Sequence, residues 1–351
     1  MRVNNRSYLS KSGLVGYSSP SNIAIIKYWG KTGVQIPLNP SLSFSLKHSV
    51  TETSVSYVLN PGQKDLCFNF YFEEGKSKKF EQKMEVFFNR VIDKFLWLHH
   101  YKLKIESKNT FPHSSGIASS ASSYAAMALC LAKIHQQITG IKLSMEEISN
   151  IARLGSGSAC RSVFGAWNTW GKFDMENSSN LNALNISQYV HPSFADIKDT
   201  ILIVSKDKKE VSSTTGHQLM ESHPYKTGRI QQANEHMLKL MEVLKNGDWN
   251  SFIEVAETEA LSLHGLMMSS SPGYTLLLPN SLQIVQRIRK FREQNKIPVC
   301  FTIDAGPNIH VLYSASNKKQ VREFIQKELL PYCENKSFIN DELGSGPTEI
   351  I

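Results

Sequence analysis

The sequence predicts an α+β fold in two halves, and three observations predict it. Strand-like and helix-like segments mix along the chain without a clean β–α–β–α alternation, which argues against a doubly wound parallel sheet. The 351 residues are enough for two ordinary domains. Asn- and Ser-rich sequence between positions 180 and 198 separates the halves, so the expected domains are 1–190 and 191–351.

Taken in order, residues 17–60 read as β-rich, because Asn22–Tyr28 and Thr53–Leu59 carry β-branched residues between turn signals. Phe80, Met84, Phe87, Phe88, Val91, Phe95 and Leu96 recur near the 3.6 spacing and predict a helix over 80–98. Tyr101–Glu106 alternates as a strand does. The small apolar run 119–138 predicts a buried helix. Ser144-Met145-Glu146-Glu147 is a capping box opening another helix, which Gly155 is expected to close as a C′ glycine. Asp199–Ser205 (DTILIVS) reads as a strand; 226–246, 249–265 and Ser281–Gln294 read as helices. Val299–Asp304 and Ile309–Tyr313 are expected to pair around an Ala-Gly-Pro-Asn turn, and Lys318–Glu328 is the final helix.

Composition narrows the class. With 41% hydrophobic and 20% charged residues the chain is globular rather than disordered. No apolar run approaches the ~18–20 residues that span a bilayer, and the N-terminus has no apolar core of a secretory signal, so a cytoplasmic protein without a membrane partner is expected. The five cysteines, Cys67, Cys130, Cys160, Cys300 and Cys333, are far apart and form no CxxC pair, which supports neither a disulfide framework nor a zinc site. The net charge of +8 suits nucleic acid or a highly anionic small molecule. The aromatic-interleaved pattern of an RNA-reading sheet is absent, so no nucleic-acid partner is expected.

Four segments carry candidate chemistry, each beside a plainer reading. Phe111-Pro112-His113-Ser114-Ser115-Gly116-Ile117-Ala118-Ser119-Ser120-Ala121 runs small residues straight into a helix. Such a helix start favours a phosphate through its free N–H groups and dipole, or is simply Ser-rich. It lacks the Gly-Lys-Ser/Thr ending of a Walker A loop. Gly155-Ser156-Gly157-Ser158-Ala159-Cys160-Arg161 can form a nest of N–H groups with an arginine fork for a carboxylate or phosphate, or a helix–helix turn with a surface arginine. Ile303-Asp304-Ala305-Gly306-Pro307-Asn308 ends an apolar strand on a carboxylate, either a used acid or an Asx-turn closing the hairpin. Asn22-Ile23-Ala24-Ile25-Ile26-Lys27-Tyr28-Trp29-Gly30-Lys31 ends a strand in two lysines, either an anion clamp or an edge strand entering a polar turn.

Together and in this order, NIAIIKYWGK, FPHSSGIASSAS, GSGSACRS and DAGPN closely resemble the signatures of the diphosphomevalonate decarboxylases of the GHMP kinase superfamily, over roughly residues 17 to 316. The resemblance implies a GHMP kinase-like two-domain fold: an N-terminal domain like ribosomal protein S5 domain 2, a C-terminal ferredoxin-like domain, and an active site between them. It implies a homodimer that uses ATP and Mg2+ to turn 5-diphosphomevalonate into isopentenyl diphosphate, CO2, ADP and phosphate.

The resemblance also assigns positions. Pro112, His113, Ser114, Ser115, Gly116, Ile117, Ala118, Ser119 and Ser120 match the ATP-phosphate loop, with Ser120 near the transferred phosphoryl group. Asp304 matches the aspartate acting on the tertiary hydroxyl, Arg161 the arginine holding the substrate carboxylate and Asp304, and Lys27 a lysine near the reacting centre. Tyr28, Trp29, Gly30 and Lys31 match a substrate-binding stretch, as do Ser156, Gly157, Ser158, Ala159, Cys160 and Arg161; Ser213 and Thr214 match a further contact. Lys78 or Lys79 is near the place of another basic contact, and no metal ligand is assigned. His113, Ser114 and Ser115 depart from the family's frequent Thr-Ala-Ala. The nearest rivals on the same fold are a phosphomevalonate decarboxylase and a mevalonate 3-kinase that releases no CO2; a silent sensor and a nucleic-acid binder are the readings from other classes.

Overall fold

Two long antiparallel strands, β1 (Ser12–Ile26) and β4 (Ser41–Leu59), carry the first half. The computed structural model describes residues 8–73, 75–112, 117–207 and 211–351. From Ser49 onward β4 alternates buried and part-exposed residues, as a sheet with one covered face does. Nearer the cleft, Ser19–Ile26 and Ser41–Leu46 are buried throughout, because the second half covers the other face. Those stretches are full of serine, which is why the sequence reading found only the ends of both strands. Several of the buried hydroxyls bond to backbone from distant parts of the chain: Ser19 donates to the Ser162 carbonyl and Ser21 to that of Ile117.

Between and after them come β2 (Lys31–Thr32), β3 (Ile36–Pro37), β5 (Cys67–Phe72), β6 (Gly75–Lys76), α1 (Lys78–Val91), β7 (Tyr101–Asn109), α2 (Ser119–Thr139), α3 (Met145–Gly155), β8 (Trp167–Trp170) and β9 (Leu184–Asn185). The second half contains β10 (Ile197–Leu202), α4 (Ser213–Leu219), α5 (Lys226–Asn246), α6 (Trp249–Met268), α7 (Pro279–Asn295), β11 (Val299–Thr302), β12 (Ile309–Ser314), α8 (Lys318–Phe324), β13 (Phe338–Glu342) and β14 (Thr348–Glu349). The first sheet runs β14-β1-β4-β7-β5-β6, with β8 and β9 beside the inner end of β4; the second runs β11-β12-β10-β13.

The halves share a core. Ile23, Ile25, Leu42 and Phe44 of the first sheet pack in one cluster with Ile197, Ile201, Met237, Leu240 and Phe252 of the second half. Asp341 of β13 accepts the amides of Lys47, His48 and Ser49, where β4 slips register against β1. The chain also returns after position 343: β14 pairs with β1, setting Tyr17 opposite Glu349. A cut at 190/191 therefore leaves the last residues of the second half in the first sheet.

Three local expectations change. The helix expected over 80–98 stops at Val91, and a turn leads into a tighter helical segment, Leu96–His99. Phe95 and Leu98 still reach the core, but Leu96 is 63% exposed, so the apolar spacing outlasted the helix. Gly155 is the last residue of α3 rather than a left-handed cap, and Ser156 beyond it is extended. A Cβ there would lie 2.2 Å from the Tyr124 ring, so close packing requires the glycine. The final helix widens into a π turn over Ile325–Leu329. Among the described residues no helix is long and apolar enough to cross a membrane, and all five cysteines are free.

Candidate active site

The four sequence segments meet in one cleft, between the inner end of the first sheet and the loop after β11. Where β1 ends, Lys27 is 2% exposed and its Nζ donates to Asp304 Oδ1 at 2.7 Å. Asp304 is part-exposed, two residues past the end of β11; its own carbonyl accepts from His264 Nε2 of α6 at 3.1 Å. Arg161 lies on the tight helical turn Gly157–Val163 and is fully buried. Its Nε and Nη2 donate to Asn22 Oδ1 at 3.2 and 3.1 Å, and its Nη1 to Ser41 Oγ. Burial pulls its pKa down, while the charges of Cys160, Asp304 and Tyr28 act the other way. Lys27 is ion-paired with Asp304, and Arg161 is fixed by β1 and β4 within electrostatic reach of it.

The phosphate-loop region forms another wall. Pro112, Ile117, Ala118, Ser119 and Ser120 line the cleft; His113, Ser114, Ser115 and Gly116 lie outside the described residues. Ala118, with φ +35°, turns the chain into the 21-residue α2, whose first turn holds no acidic side chain. A long helix start of that kind favours an anion. Ser158 faces the same space, and Ser156 Oγ lies 3.4 Å from Ser120 Oγ.

Beyond Tyr28 the cleft becomes basic. Lys31, Lys79, Lys83 and Arg90 line it, with Ser156, Gly157, Ser213 and Thr214. Of the two lysines near the expected basic contact, Lys79 is the one on the cleft. Burial and the neighbouring Arg90 lower the Lys31 pKa; burial and Lys79 lower that of Lys83. Among the described residues none of these four cations is ion-paired with a carboxylate. Trp29 and Tyr28 flank the His217 ring at 4.7 and 4.4 Å, and His217 Nδ1 accepts the Gly30 amide at 2.9 Å. Burial, helped by Lys31, holds the His217 pKa down to about 3, so the ring is neutral. Ala159 and Cys160 do not present side chains to the cleft. Ala159 packs in the first-half core, and Cys160 packs against Trp170 with its thiol pushed to about 12 by burial.

The family models that match are the diphosphomevalonate decarboxylase-like N-terminal domain over 19–181 and the mevalonate 5-diphosphate decarboxylase C-terminal domain over 200–346. The diphosphomevalonate decarboxylase of Ganoderma lucidum is 31% identical over 91% of this chain and 82% of its own. The chain belongs to the diphosphomevalonate decarboxylase family. A mevalonate diphosphate decarboxylase from Staphylococcus aureus superposes with TM-score 0.84 at 28% identity, covering 97% of this chain and 98% of that one. MDDEF, solved in complex with MVAPP, AMPPCP and magnesium, superposes with TM-score 0.82 at 28% identity, covering 97% and 99%. The architecture is the two-domain GHMP kinase fold expected from the motifs.

Reasoning from the sequence missed several residues that line the cleft or stand behind it. Phe70, Phe72, Phe80, Met84 and Phe111 make an apolar wall beside the phosphate loop. Phe80 and Met84 were read only as part of a helix, and the two-residue spacing of Phe70 and Phe72 on β5 was not read at all. Asn22 was named only as the start of a motif, yet its amide donates to Ser162 Oγ at 2.8 Å while its oxygen receives Arg161. His217, Arg229 and Glu259 carry no motif at all. Helical sequence such as Glu-Thr-Glu-Ala-Leu-Ser-Leu-His gives no signal that one glutamate reaches another domain's backbone.

Proposed function

We propose that this chain catalyses ATP-dependent decarboxylation of 5-diphosphomevalonate to isopentenyl diphosphate, with ADP, phosphate and CO2 as the other products. The observation that carries the reading is the ion pair of buried Lys27 with part-exposed Asp304, set between Arg161 and the start of α2 in a cleft whose far end is basic. The apolar wall of Phe70, Phe72 and Phe80 suits a nucleotide base, and its phosphates then fall at Ser119 and Ser120. The cations at the other end suit a diphosphate. Between them the tertiary hydroxyl faces Asp304 and the substrate carboxylate faces Arg161.

The γ-phosphoryl group passes to the tertiary oxygen, and Asp304 receives the hydroxyl proton or meets the developing positive charge. The C–O bond then breaks with phosphate leaving, and the electron pair of the breaking C–CO2 bond becomes the alkene. The protein contributes mainly position and fixed charge. Asp304 is the one acidic side chain on the described lining of the reacting end, and no described cluster of three or more His, Cys, Asp or Glu could hold a metal. That donor set fits a Mg2+ ion bound mostly through nucleotide phosphates, with Ser119, Ser120 or Asp304 completing its shell, where it would neutralise phosphate charge. The homodimer rests on the family resemblance, and the cytoplasmic location on the hydropathy of the sequence.

The test compares CO2 release from 5-diphosphomevalonate and 5-phosphomevalonate under ATP and magnesium. A higher kcat/KM on the diphosphate is expected. Preference for the monophosphate would overturn the assignment of the basic end.

A further inference from the structure

The catalytic pair is held from behind by a second buried pair, which the reaction itself does not call for. Glu259 of α6 is fully buried and Arg229 of α5 almost so. Arg229 grips the carboxylate with both terminal nitrogens at 2.7 Å, and His236 Nδ1 lies 2.7 Å from Glu259 Oε1. This salt bridge faces the Lys27 peptide from both sides. The Lys27 N–H donates to Glu259 Oε2 at 2.8 Å, and the Lys27 carbonyl accepts from Arg229 Nη2 at 2.8 Å and Asn39 Nδ2 at 2.9 Å.

Lys27 is the first residue past the end of β1, where neighbouring strands no longer satisfy its backbone. The Glu259–Arg229 pair supplies a donor and an acceptor in the place of a strand. The same helix reaches the other partner, since His264 of α6 donates to the Asp304 carbonyl at 3.1 Å. One helix of the second half therefore grips both members of the Lys27–Asp304 pair by their main chains. Burial alone would raise the Glu259 pKa, but Arg229, His236 and the Lys27 amide outweigh it and hold it at about 2. The Glu259 carboxylate is thus ionised at neutral pH.

We infer that Glu259 and Arg229 are positioning residues: they fix the Lys27 main chain so that its ammonium meets Asp304 in the geometry phosphoryl transfer needs. The inference rests on the function proposed above. Neither residue lines the cleft, so substrate binding is not their contribution.

The experiment measures kcat and KM for Glu259→Gln in two backgrounds, wild type and Lys27→Met, with cooperative melting of each protein as the check on folding. Glutamine keeps an acceptor for the Lys27 amide but loses the charge on Arg229. In the wild-type background kcat is expected to fall at least about tenfold, with both KM values within about twofold. In the Lys27→Met background the same substitution is expected to cost less than about twofold, because its effect travels through a side chain already removed. Equal fold-losses in both backgrounds, or an unchanged kcat in wild type, overturn the inference. If Glu259→Gln does not fold, Arg229→Lys, which keeps a cation but loses the fork, is read by the same criteria. A wild-type protein that releases no CO2 sinks the proposed function instead, and is seen before any variant is made.

Discussion

Lys27 and Lys83 line the same cleft, and their surroundings are opposite. Lys27 is buried, ion-paired at 2.7 Å, and held through its main chain by residues of the other half. Lys83 shares its end of the cleft with Lys79, Lys31 and Arg90, and its pKa is lowered by burial and by Lys79. One end has its charges matched and fixed before any ligand arrives; the other gathers like charges that an anion would relieve. Fixed, dry, matched charge serves a reacting atom, because it need not reorganise as the reaction proceeds. Crowded cations serve binding, because a polyanion gains from all of them at once.

The comparison breaks most visibly at Asp304. Asp304→Asn keeps the shape and loses the charge, so CO2 release should fall by about 10²–10⁴-fold. Calorimetric affinity for 5-diphosphomevalonate should stay within a few-fold. Near-normal turnover would show that the matched end is structural.

A second test uses His217, which borders both ends. Its pKa lies at about 3 in the fold against an ordinary 6.5, so the unfolded chain takes up a proton that the folded one refuses. Its stabilisation is complete above 6.5 and is lost as pH falls from 6.5 toward 3, by up to about tenfold in the folding equilibrium constant per pH unit. Glu259, held at about 2 against 4.5, adds a further loss as pH falls below 4.5. Urea midpoints at pH 7, 5.5 and 4.5 should decline, and His217→Phe should flatten the first part of that decline. An equal slope in the variant would remove His217 from the account.

The smallest expected effect lies at the basic end. Lys83→Met should raise KM for the diphosphate about tenfold with kcat within about twofold, and the penalty should shrink in high salt. A fall in kcat at unchanged KM would place Lys83 with the reacting groups and sharpen the division at the wrong point.

How far the sequence reached follows from which interactions are local. The phosphate loop, the Gly-Ser turn and the Lys-Tyr-Trp-Gly-Lys strand end were legible because each is one continuous segment with its own chemistry. The α5 helix was read to the residue, Lys226–Asn246, because Gly247 at φ +75° stops it. The Lys27–Asp304 contact was not legible because the two residues are 277 positions apart, and only the packing of one half on the other brings them together. Ala159 and Cys160 were read with the motif's polar residues, although nearly the whole turn is buried and these two small side chains pack into the core. Long β1 and β4 were half hidden because their buried serines look like loop.

The central claim, decarboxylation rather than phosphorylation alone, is tested most directly by counting ADP and CO2 together from the wild-type protein, with ATP, magnesium and 5-diphosphomevalonate. The expected result is one CO2 for each ADP. ADP without CO2 would contradict the account and leave a kinase on the same fold.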